Sequence, residues 1–503
     1  MEQNTKNIKI AHTQNLNKFN FNVTISMPID TNASIKSILD INSYVYDQKV
    51  ECGNGKAIIS GKIGLKALYV DTDNMTSSIS SFSNFSETCM DNAITTDTFL
   101  NIYNVNVINT VLSSDSTLKV NCEITMQPIA YVNLGLNTSL QEDETLITKK
   151  NEIKTNSISS CVNSQFDYTC NLETKDTISK ILCSNSYFTA EKVTADNGFA
   201  VVEGKLLTDI VYETQNQDET IIKELKDISN VKCDVEIMGL EKDDVLDLSF
   251  MLDKSNENIS TEADENTNVI IVKQCIKTCG VVLKTISIDI IDDVFSTANE
   301  IETATSHREC TKNAENFTLS EVITNELTLS KEESAIDEII ANLSINPEIT
   351  NTYIKDNNIY VEGIISSNLA YIDENKEYKF KAIELPFIIN TKIHAETLGC
   401  VHNNITVIDN RVKVKRGTII ELEYSLFISL TIFEKENHEM VDNFTIGKPL
   451  NFGEYDYQIF IAKPNETMWE LCKRIKISPN DITTYNKDLP LVCTGGEKVI
   501  IKR

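Results

Sequence analysis

The sequence predicts a mainly β protein: three tandem β-sandwich-like repeats with short helices, followed by a small C-terminal βααβ module. The prediction depends on three short runs in which apolar and polar residues alternate, as expected of half-buried strands. Each run contains a glycine that a tyrosine follows eight residues later, and such self-similarity indicates repeats. The three pairs are Gly61 and Tyr69, Gly204 and Tyr212, and Gly363 and Tyr371.

Length and charge bound the possible functions. The chain has 503 residues, with 46 Lys and Arg against 74 Asp and Glu and a formal net charge of −28. This length predicts about three or four domains, and a hydrophobic content of 41% is typical of folded chains. The negative charge argues against nucleic acid as a partner and favours a partner with a basic patch. No stretch is apolar enough to predict a transmembrane segment.

The first two copies share more than the glycine, because Asn42-Ser43-Tyr44 recurs as Asn185-Ser186-Tyr187 in the same register. Before each triplet, apolar residues at i, i+3 and i+4 predict a short amphipathic helix. These residues are Ile35, Ile38 and Leu39, then Ile178, Ile181 and Leu182, and in the third copy Ile336, Ile339 and Ile340. The Gly-Lys pairs after the first two glycine-centred runs predict a turn or bulge rather than a phosphate site.

Turn and linker signals divide the chain. Asn-Gly and related pairs at 53–55, 196–198 and 356–358 predict hairpin turns, and further strands are expected over 117–126, 269–284 and 411–433. Polar stretches predict linkers at 141–144, 303–316 and 437–455, and a solvated acidic loop at 256–268. We therefore expect domains at 1–150, 151–310 and 311–445, strung in a row, and the module at 455–503.

The C-terminal module breaks the β pattern. Tyr457 to Ile461 reads as a strand, and Met468 to Ile475 as a helix with a capping box formed by Thr467 and Glu470. A second short helix begins after Ser478 and ends at Tyr485-Asn486. Lys498 to Ile501 is expected to pair with the first strand.

Two resemblances follow from these motifs. The tail resembles a LysM module in its turn Pro464-Asn465-Glu466-Thr467, its helix start Trp469-Glu470-Leu471, Asn486, and the glycines 495 and 496 before a closing Val-Ile-Ile. The usual turn reads Pro-Gly-Asp-Thr, so this chain departs from it at two positions. The three β copies resemble the SPOCS (spore coat assembly) domain, and repeats followed by a LysM module resemble clostridial spore-morphogenetic proteins.

The resemblance implies a sporulation protein of the mother-cell cytoplasm, located at the forespore surface, that docks the coat-morphogenetic ATPase through its LysM-like module. Thr467, Trp469, Leu471 and Asn486 are the partner-binding residues expected on this basis. Trp469 is the only tryptophan, and it serves either as core or as an interface anchor. Two alternatives remain: a peptidoglycan-binding wall or cortex protein whose groove takes N-acetylglucosamine chains, and a self-assembling structural protein with exposed β edges.

Candidate chemistry is sparse. The pairs Cys275 with Cys279 and His307 with Cys310 match no common zinc-ligand spacing, so neither a metal nor a cofactor is expected. The histidines His12, His307, His394, His402 and His438 are scattered along the chain, and most are expected on the surface or in loops. The 13 cysteines form no dense framework and are expected to be free thiols. We predict no catalytic residues and a non-enzymatic scaffold.

Overall fold

A computed structural model describes residues 7–29, 34–113, 117–137, 144–216, 219–263, 268–393, 399–452 and 457–502. Over these residues the chain is mainly β, with several separate antiparallel sheets and two α-helices that both lie near the C-terminus. The predicted fold class is confirmed at this level. None of the helices in the described ranges is long and apolar enough to cross a bilayer.

The strands fall into three groups by pairing, which we call the first, second and third units. The strands of the first unit are β1 (Asn7–Asn15), β2 (Phe19–Pro28), β3 (Ile35–Gly53), β4 (Lys56–Asp71), β5 (Thr76–Met90), β6 (Phe99–Ser113) and β7 (Thr117–Asn137). Those of the second are β8 (Leu146–Thr174), β9 (Ile178–Asp196), β10 (Phe199–Asn216), β11 (Glu219–Glu236), β12 (Val245–Leu252), β13 (Asn258–Ala263) and β14 (Asn268–Ser296). Those of the third are β15 (Asn299–Thr328), β16 (Ile336–Lys355), β17 (Asn358–Asp373), β18 (Tyr378–Lys392), β19 (Cys400–Lys415) and β20 (Ile419–Pro449).

Each unit contains two sheets with the same connections. One is a three-stranded meander: β3-β4-β5, β9-β10-β11 or β16-β17-β18. The other sheet is centred on the last strand of the unit, which is β7, β14 or β20. On one side this strand pairs with the beginning of the unit, which is β1 and β2, β8, or β15. On the other side it pairs with the strands just before it in the chain, which are β6, β12 and β13, or β19. The predicted turns join the first two strands of each meander, with Gly55 at φ 76° and Gly198 at φ 86°.

The repeated glycines face β-bulges, as the sequence predicts. The register of the first meander strand shifts opposite or beside Gly61, Gly204 and Gly363. A Cβ at Gly204 would lie 2.1 Å from the carbonyl oxygen of Thr189, and one at Gly363 would lie 2.2 Å from that of Glu348. The bulged strand comes so close that the last two glycines have no room for a side chain.

The expected amphipathic helices are wrong, because all three segments are the bulged beginnings of strands β3, β9 and β16. The register skips Leu39, Leu182 and Ile340. Each skipped residue is buried in a cluster shared by the three units, whereas the residue before it packs into the core of its own unit. Two adjacent apolar residues therefore serve two cores, and this produces the i, i+3, i+4 spacing without a helix.

The shared cluster, which we call the axial cluster, shows that the units are not strung in a row. It combines residues from the meander of every unit: Leu39, Leu68 and Val70, then Leu182, Cys183, Val211 and Ile222, then Ile340, Ala341, Leu343 and Ala370. The last strand of each meander also contacts the first strand of the next, as β5 with β9, β11 with β16 and β18 with β3. The units therefore close a ring about a common axis.

Three long two-stranded ribbons, β1 with β7, β8 with β14, and β15 with β20, pack together into a stem. Their apolar residues form common clusters along the strands, one of them Ile10, Leu136, Ile153, Ile288, Ile290, Cys310 and Met440. Of the predicted linkers, residues 303–316 and the part of 437–455 up to residue 449 are paired strand within β15 and β20, and 453–455 lie outside the described residues. The predicted boundaries after 150 and 310 also fall inside strands, and 141–143 lie outside the described residues.

The predicted C-terminal elements are present: β21 (Tyr457–Ile461), α1 (Met468–Ile475), α2 (Pro479–Tyr485) and β22 (Lys498–Lys502). β21 and β22 pair antiparallel, with Ile459 opposite Ile500. Thr467 caps α1 in the expected capping box with Glu470, and Ser478 caps α2. In the acidic stretch 256–268, β13 forms a strand where a loop was expected, and 264–267 lie outside the described residues.

Candidate functional site

The C-terminal module, residues 457–502, packs against the end of the stem. Phe295 of β14 belongs to the hydrophobic core of the module. The Trp469 ring meets the Phe295 ring edge-on at a centroid distance of 5.2 Å. The indole Nε1 donates a 2.8 Å hydrogen bond to Asp293 Oδ2, and Lys473 Nζ lies 2.7 Å from Asp293 Oδ1. Trp469 is therefore an interface residue, and the surface it binds belongs to its own chain.

Asp293 is the electrostatic centre of this contact. Burial alone would raise the pKa of its carboxyl group, but the hydrogen bonds from Lys473 and Trp469 and the charge of Lys473 outweigh burial and lower the pKa. The carboxylate therefore stays ionised and accepts both donors. Burial lowers the pKa of nearby Lys476, whose ammonium lies 5.9 Å from the centroid of the Phe295 ring.

The other predicted site residues have structural contacts. The Leu471 side chain is fully buried in the module core. Asn486 donates to the Ile482 carbonyl oxygen at the end of α2. It also donates to the Ile500 carbonyl oxygen and accepts from the Ile500 N–H, and these two bonds fasten the end of α2 to β22. The Thr467 side chain accepts a hydrogen bond from the Glu470 N–H in the capping box of α1. Of the four residues, only Trp469 reaches outside the module.

The turn at residues 464–467, which differs from the Pro-Gly-Asp-Thr of the modules it resembles, is closed by local contacts. Asn465 has φ 60°, in the left-handed region where the usual sequence has glycine and where Asn is tolerated. Glu466 is buried, and it binds the Arg474 guanidinium at 2.6 Å and the Lys463 N–H at 2.8 Å. The pairing with Arg474 lowers the pKa of Glu466. The two substituted positions thus close the turn by different contacts.

The outer face of the β21–β22 sheet is an exposed apolar surface, which we call the module face. Its residues are Tyr457, Ile459 and Ile461 on β21 and Ile500 on β22, which expose 60%, 65%, 52% and 42% of their surface. Lys498 and Lys502 are opposite Ile461 and Tyr457 in the pairing. Sequence reasoning missed this face, although the signal is visible. Apolar residues occur on both faces of β21, with Phe460 on the inner face beside Gln458, whereas a small two-layer module needs only one apolar face.

A second polar cluster lies where the three units meet. Asp247 of β12 is buried and accepts hydrogen bonds from His402 Nδ1 of the third unit at 2.6 Å, from the Tyr131 hydroxyl of the first, and from Thr431 Oγ1 at 2.8 Å. Burial alone would raise the pKa of Asp247, but the charge of His402 and its hydrogen bond outweigh the effect of burial, and the pKa is lowered. We call these four residues the junction cluster.

The junction cluster corrects one expectation about the histidines. His402, expected on the surface or in a loop, is buried in strand β19. His12, His307 and His438 also lie in strands, and His394 is outside the described residues. The sequence holds no sign of the Asp247 and His402 contact, because the two residues belong to different units.

The cysteines are free thiols, as predicted. Burial raises the pKa of Cys183 and Cys400 to about 12, so both stay protonated and unreactive at neutral pH. Across the described ranges, His, Cys, Asp and Glu nowhere come together in a group of three or more that could hold a metal ion. Neither a protein-family model, nor a curated protein, nor a solved structure matches the chain.

Proposed function

We propose that this chain is a non-enzymatic spore coat assembly protein, with three SPOCS-like β-sandwich repeats and a LysM-like module that docks the coat-morphogenetic ATPase at the forespore surface of the mother cell. The observation that carries the docking part is the module face. Four large apolar side chains stay exposed side by side, and such contiguous patches mark interaction sites. The identity of the partner and the location rest on the family resemblance.

The arrangement of the module favours this surface over the residues first expected. Trp469 and Lys473 are engaged with Asp293, and Leu471 is in the core, so a partner has no direct access to Leu471 and meets Trp469 only beside the stem. The module face points away from the module core, because Val499 and Ile501, the neighbours of Ile500 on β22, are buried on the opposite side of the strand. A partner can cover it without disturbing the docked module.

Charge separates the module from the body, by which we mean the three units. Residues 457–503 contain eight Lys or Arg against five Asp or Glu, in a chain whose net charge is −28. Lys498 and Lys502 border the module face. The contact surface of the ATPase is therefore expected to be apolar with acidic residues at its rim, whereas the acidic body suits basic surfaces.

The test uses the full-length chain with Ile459→Asp and a matched control, Val322→Asp, which places the same charge at an exposed apolar position of β15 in the body. Each variant is offered the immobilised ATPase and, separately, sedimented peptidoglycan. We expect Ile459→Asp to weaken ATPase binding by about tenfold or more, as loss of an apolar anchor implies, and Val322→Asp to leave it unchanged.

Circular dichroism and the Trp469 emission maximum check that both variants are folded with the module docked. Equal ATPase binding by wild type and Ile459→Asp would exclude the module face. Retention of the wild type by peptidoglycan alone would favour the wall-binding alternative. Sedimentation that depends on protein concentration and persists in both variants would favour self-assembly.

A further inference from the structure

A cavity of about 890 Å³ lies beside the axial cluster, and all three units contribute to its wall. The first unit lines it with β3 and β6, the second with the middle of β9 and the end of β12, and the third with β16 to β19. Its size is in the range of small-molecule sites. The Asn-Ser-Tyr triplets of the first two units also lie at this wall.

Both triplets are at this wall. Asn42, Ser43 and Tyr44 line the cavity, as do Ser186 and Tyr187. Asn42 Nδ2 donates to Asn185 Oδ1 at 2.5 Å, which joins the first two units. The Tyr187 hydroxyl accepts from the Ile345 N–H of the third unit at 3.0 Å. The polar part of the wall is thus held by bonds between units rather than by flexible side chains.

Lys254 supplies the cavity with a charge that has no close partner. Within the described ranges, its ammonium makes neither a hydrogen bond nor an ion pair within 4.0 Å. It lies over the Tyr187 ring, with 5.9 Å between Nζ and the ring centroid. The side chain keeps some accessible surface although protein surrounds it, and it is part of the cavity wall. Burial lowers the pKa of Lys254, which is the cost of an ammonium without an anion.

The backbone around Lys254 is fixed. The residue begins a one-turn 3₁₀ helix, Lys254–Asn256, whose cap Asp253 accepts from the Ser255 N–H and is ion-paired with Lys277 at 2.8 Å. Other lysines of the cavity wall have partners: Lys18 lies 3.6 Å from Glu348, and Lys36 lies 3.8 Å from Glu377. Lys254 differs from both because no carboxylate reaches it.

The nearest acidic groups do not replace a ligand. Asp40 accepts from Ser344 Oγ at 2.8 Å and from Asn368 Nδ2 at 2.9 Å, and burial raises its pKa. Glu257 accepts from Ser184 and Gln274. Both carboxyl groups are satisfied by neutral donors and influence Lys254 only at longer range, as do Lys66 and Cys183.

We propose that the cavity binds an amphiphilic organic monoanion, a carboxylate with an apolar body, whose carboxylate pairs with Lys254. Apolar side chains from all three units line much of the rest, including Ile102, Phe188, Phe250, Ile345 and Ile405. A cationic ligand would be repelled by the Lys254 ammonium, and a neutral ligand would leave the ammonium unpaired. A dianion would leave a surplus negative charge near Asp40 and Glu257. A single carboxylate matches the site.

Octanoate and its neutral analogue octanol serve as probes for the full-length chain, with binding measured by isothermal titration calorimetry. Lys254→Met removes the charge and keeps an apolar stem of similar length. We expect octanoate to bind the wild type at one site and to bind Lys254→Met at least about tenfold more weakly, as loss of a charge-assisted pair implies. Octanol binding is expected to be the same in both, and Lys254→Arg to retain octanoate.

Lys36→Met is the matched control, because Lys36 lines the same cavity but is paired with Glu377. Thermal melts confirm that each variant is folded. The proposal is overturned if the wild type shows no octanoate binding up to about 1 mM, if Lys254→Met binds it as well as the wild type, or if Lys36→Met loses as much affinity as Lys254→Met.

Discussion

The body and the module both contain β-sheets, but they are stabilised over very different distances along the chain. The module has two capped helices, a strand pair and most of its core within residues 457–502, and the stem adds Phe295 to that core and Asp293 to the polar contact. The units of the body share the axial cluster in addition to the core that each has of its own. Leu39, Leu182 and Ile340 are buried together in the axial cluster rather than in the cores of their own units. The hydrogen-bond donors to Asp247 belong to the two other units.

The difference shows how a repeat becomes a closed assembly. A unit alone would expose the bulge residues and leave Asp247 without donors, and unpaired buried groups are costly. The ring therefore folds as one body, whereas the module needs the stem only for docking. Substitutions in the junction cluster are expected to lower the stability of the whole body. Substitutions of Asp293 are expected to affect only the module.

The largest expected effect is that of Asp247→Ala. The substitution leaves His402 and Tyr131 buried without their acceptor, whereas the Thr431 hydroxyl can still donate to Asn316 Oδ1 at 2.9 Å. Loss of one member of a buried charged network costs about 3–5 kcal/mol. Chemical denaturation followed by far-UV circular dichroism, which is dominated by the body, measures the loss. Asp293→Ala is the control, and an equal effect of the two substitutions would contradict the separation of body and module.

A glycine exchange tests whether the bulges are required. Gly204→Ala places a Cβ against the Thr189 carbonyl oxygen, which is backbone and cannot turn aside, and we expect a loss of about 1–3 kcal/mol. Gly61→Ala is the matched control, because its nearest neighbour is the Phe85 ring at 3.0 Å, which can shift. Thermal melts are expected to rank wild type, Gly61→Ala and Gly204→Ala in decreasing stability. The reverse order would rule out close approach as the reason for the glycine.

Docking of the module is expected to depend on Asp293. Asp293→Ala removes the acceptor of the indole N–H and the partner of Lys473, a loss of about 1–2 kcal/mol for this partly exposed contact. Because Trp469 is the only tryptophan, its fluorescence reports docking directly, and a red shift is expected while the far-UV spectrum is unchanged. An unshifted emission maximum would show that the module docks without this contact.

The same contact predicts a pH dependence. The pKa of Asp293 is lowered from its ordinary value of 3.8, so its stabilising contribution is complete above that value and is lost as pH falls through the lowered pKa. The Trp469 emission is therefore expected to stay constant from neutral pH down to the ordinary value and to shift below it. The Asp293→Ala variant should lack this transition, and a transition near pH 6 instead would point to another group.

The smallest effect is expected at the helix cap. Thr467→Ala removes the side-chain acceptor for the Glu470 N–H and costs about 1 kcal/mol, confined to the module. Thermal unfolding followed by Trp469 fluorescence measures it, and Thr467→Ser, which keeps the hydroxyl, is the control. A loss of partner binding without a loss of module stability would instead assign Thr467 to the contact surface.

Prediction from sequence succeeded where the relevant contacts are local. The capping box, the short helix that begins after Ser478 and the strand pair β21–β22 follow from residues a few positions apart or from one short module. The helices predicted at Ile35, Ile178 and Ile336 failed because a bulged strand and a helix give the same apolar spacing. The partners that distinguish them lie in other units.

The sequence by itself determined that the chain is mainly β, that glycine-centred strands recur three times, and that two capped helices close the C-terminus. Tertiary structure alone decided that the units surround an axis, that the polar runs at 303–316 and 437–449 belong to a stem, and that Trp469 binds Asp293. The physical reason is the range of the interactions. Propensity, capping and turn geometry act between near neighbours, whereas the burial of Leu39 or the pairing of Asp247 with His402 depends on residues far apart in the chain.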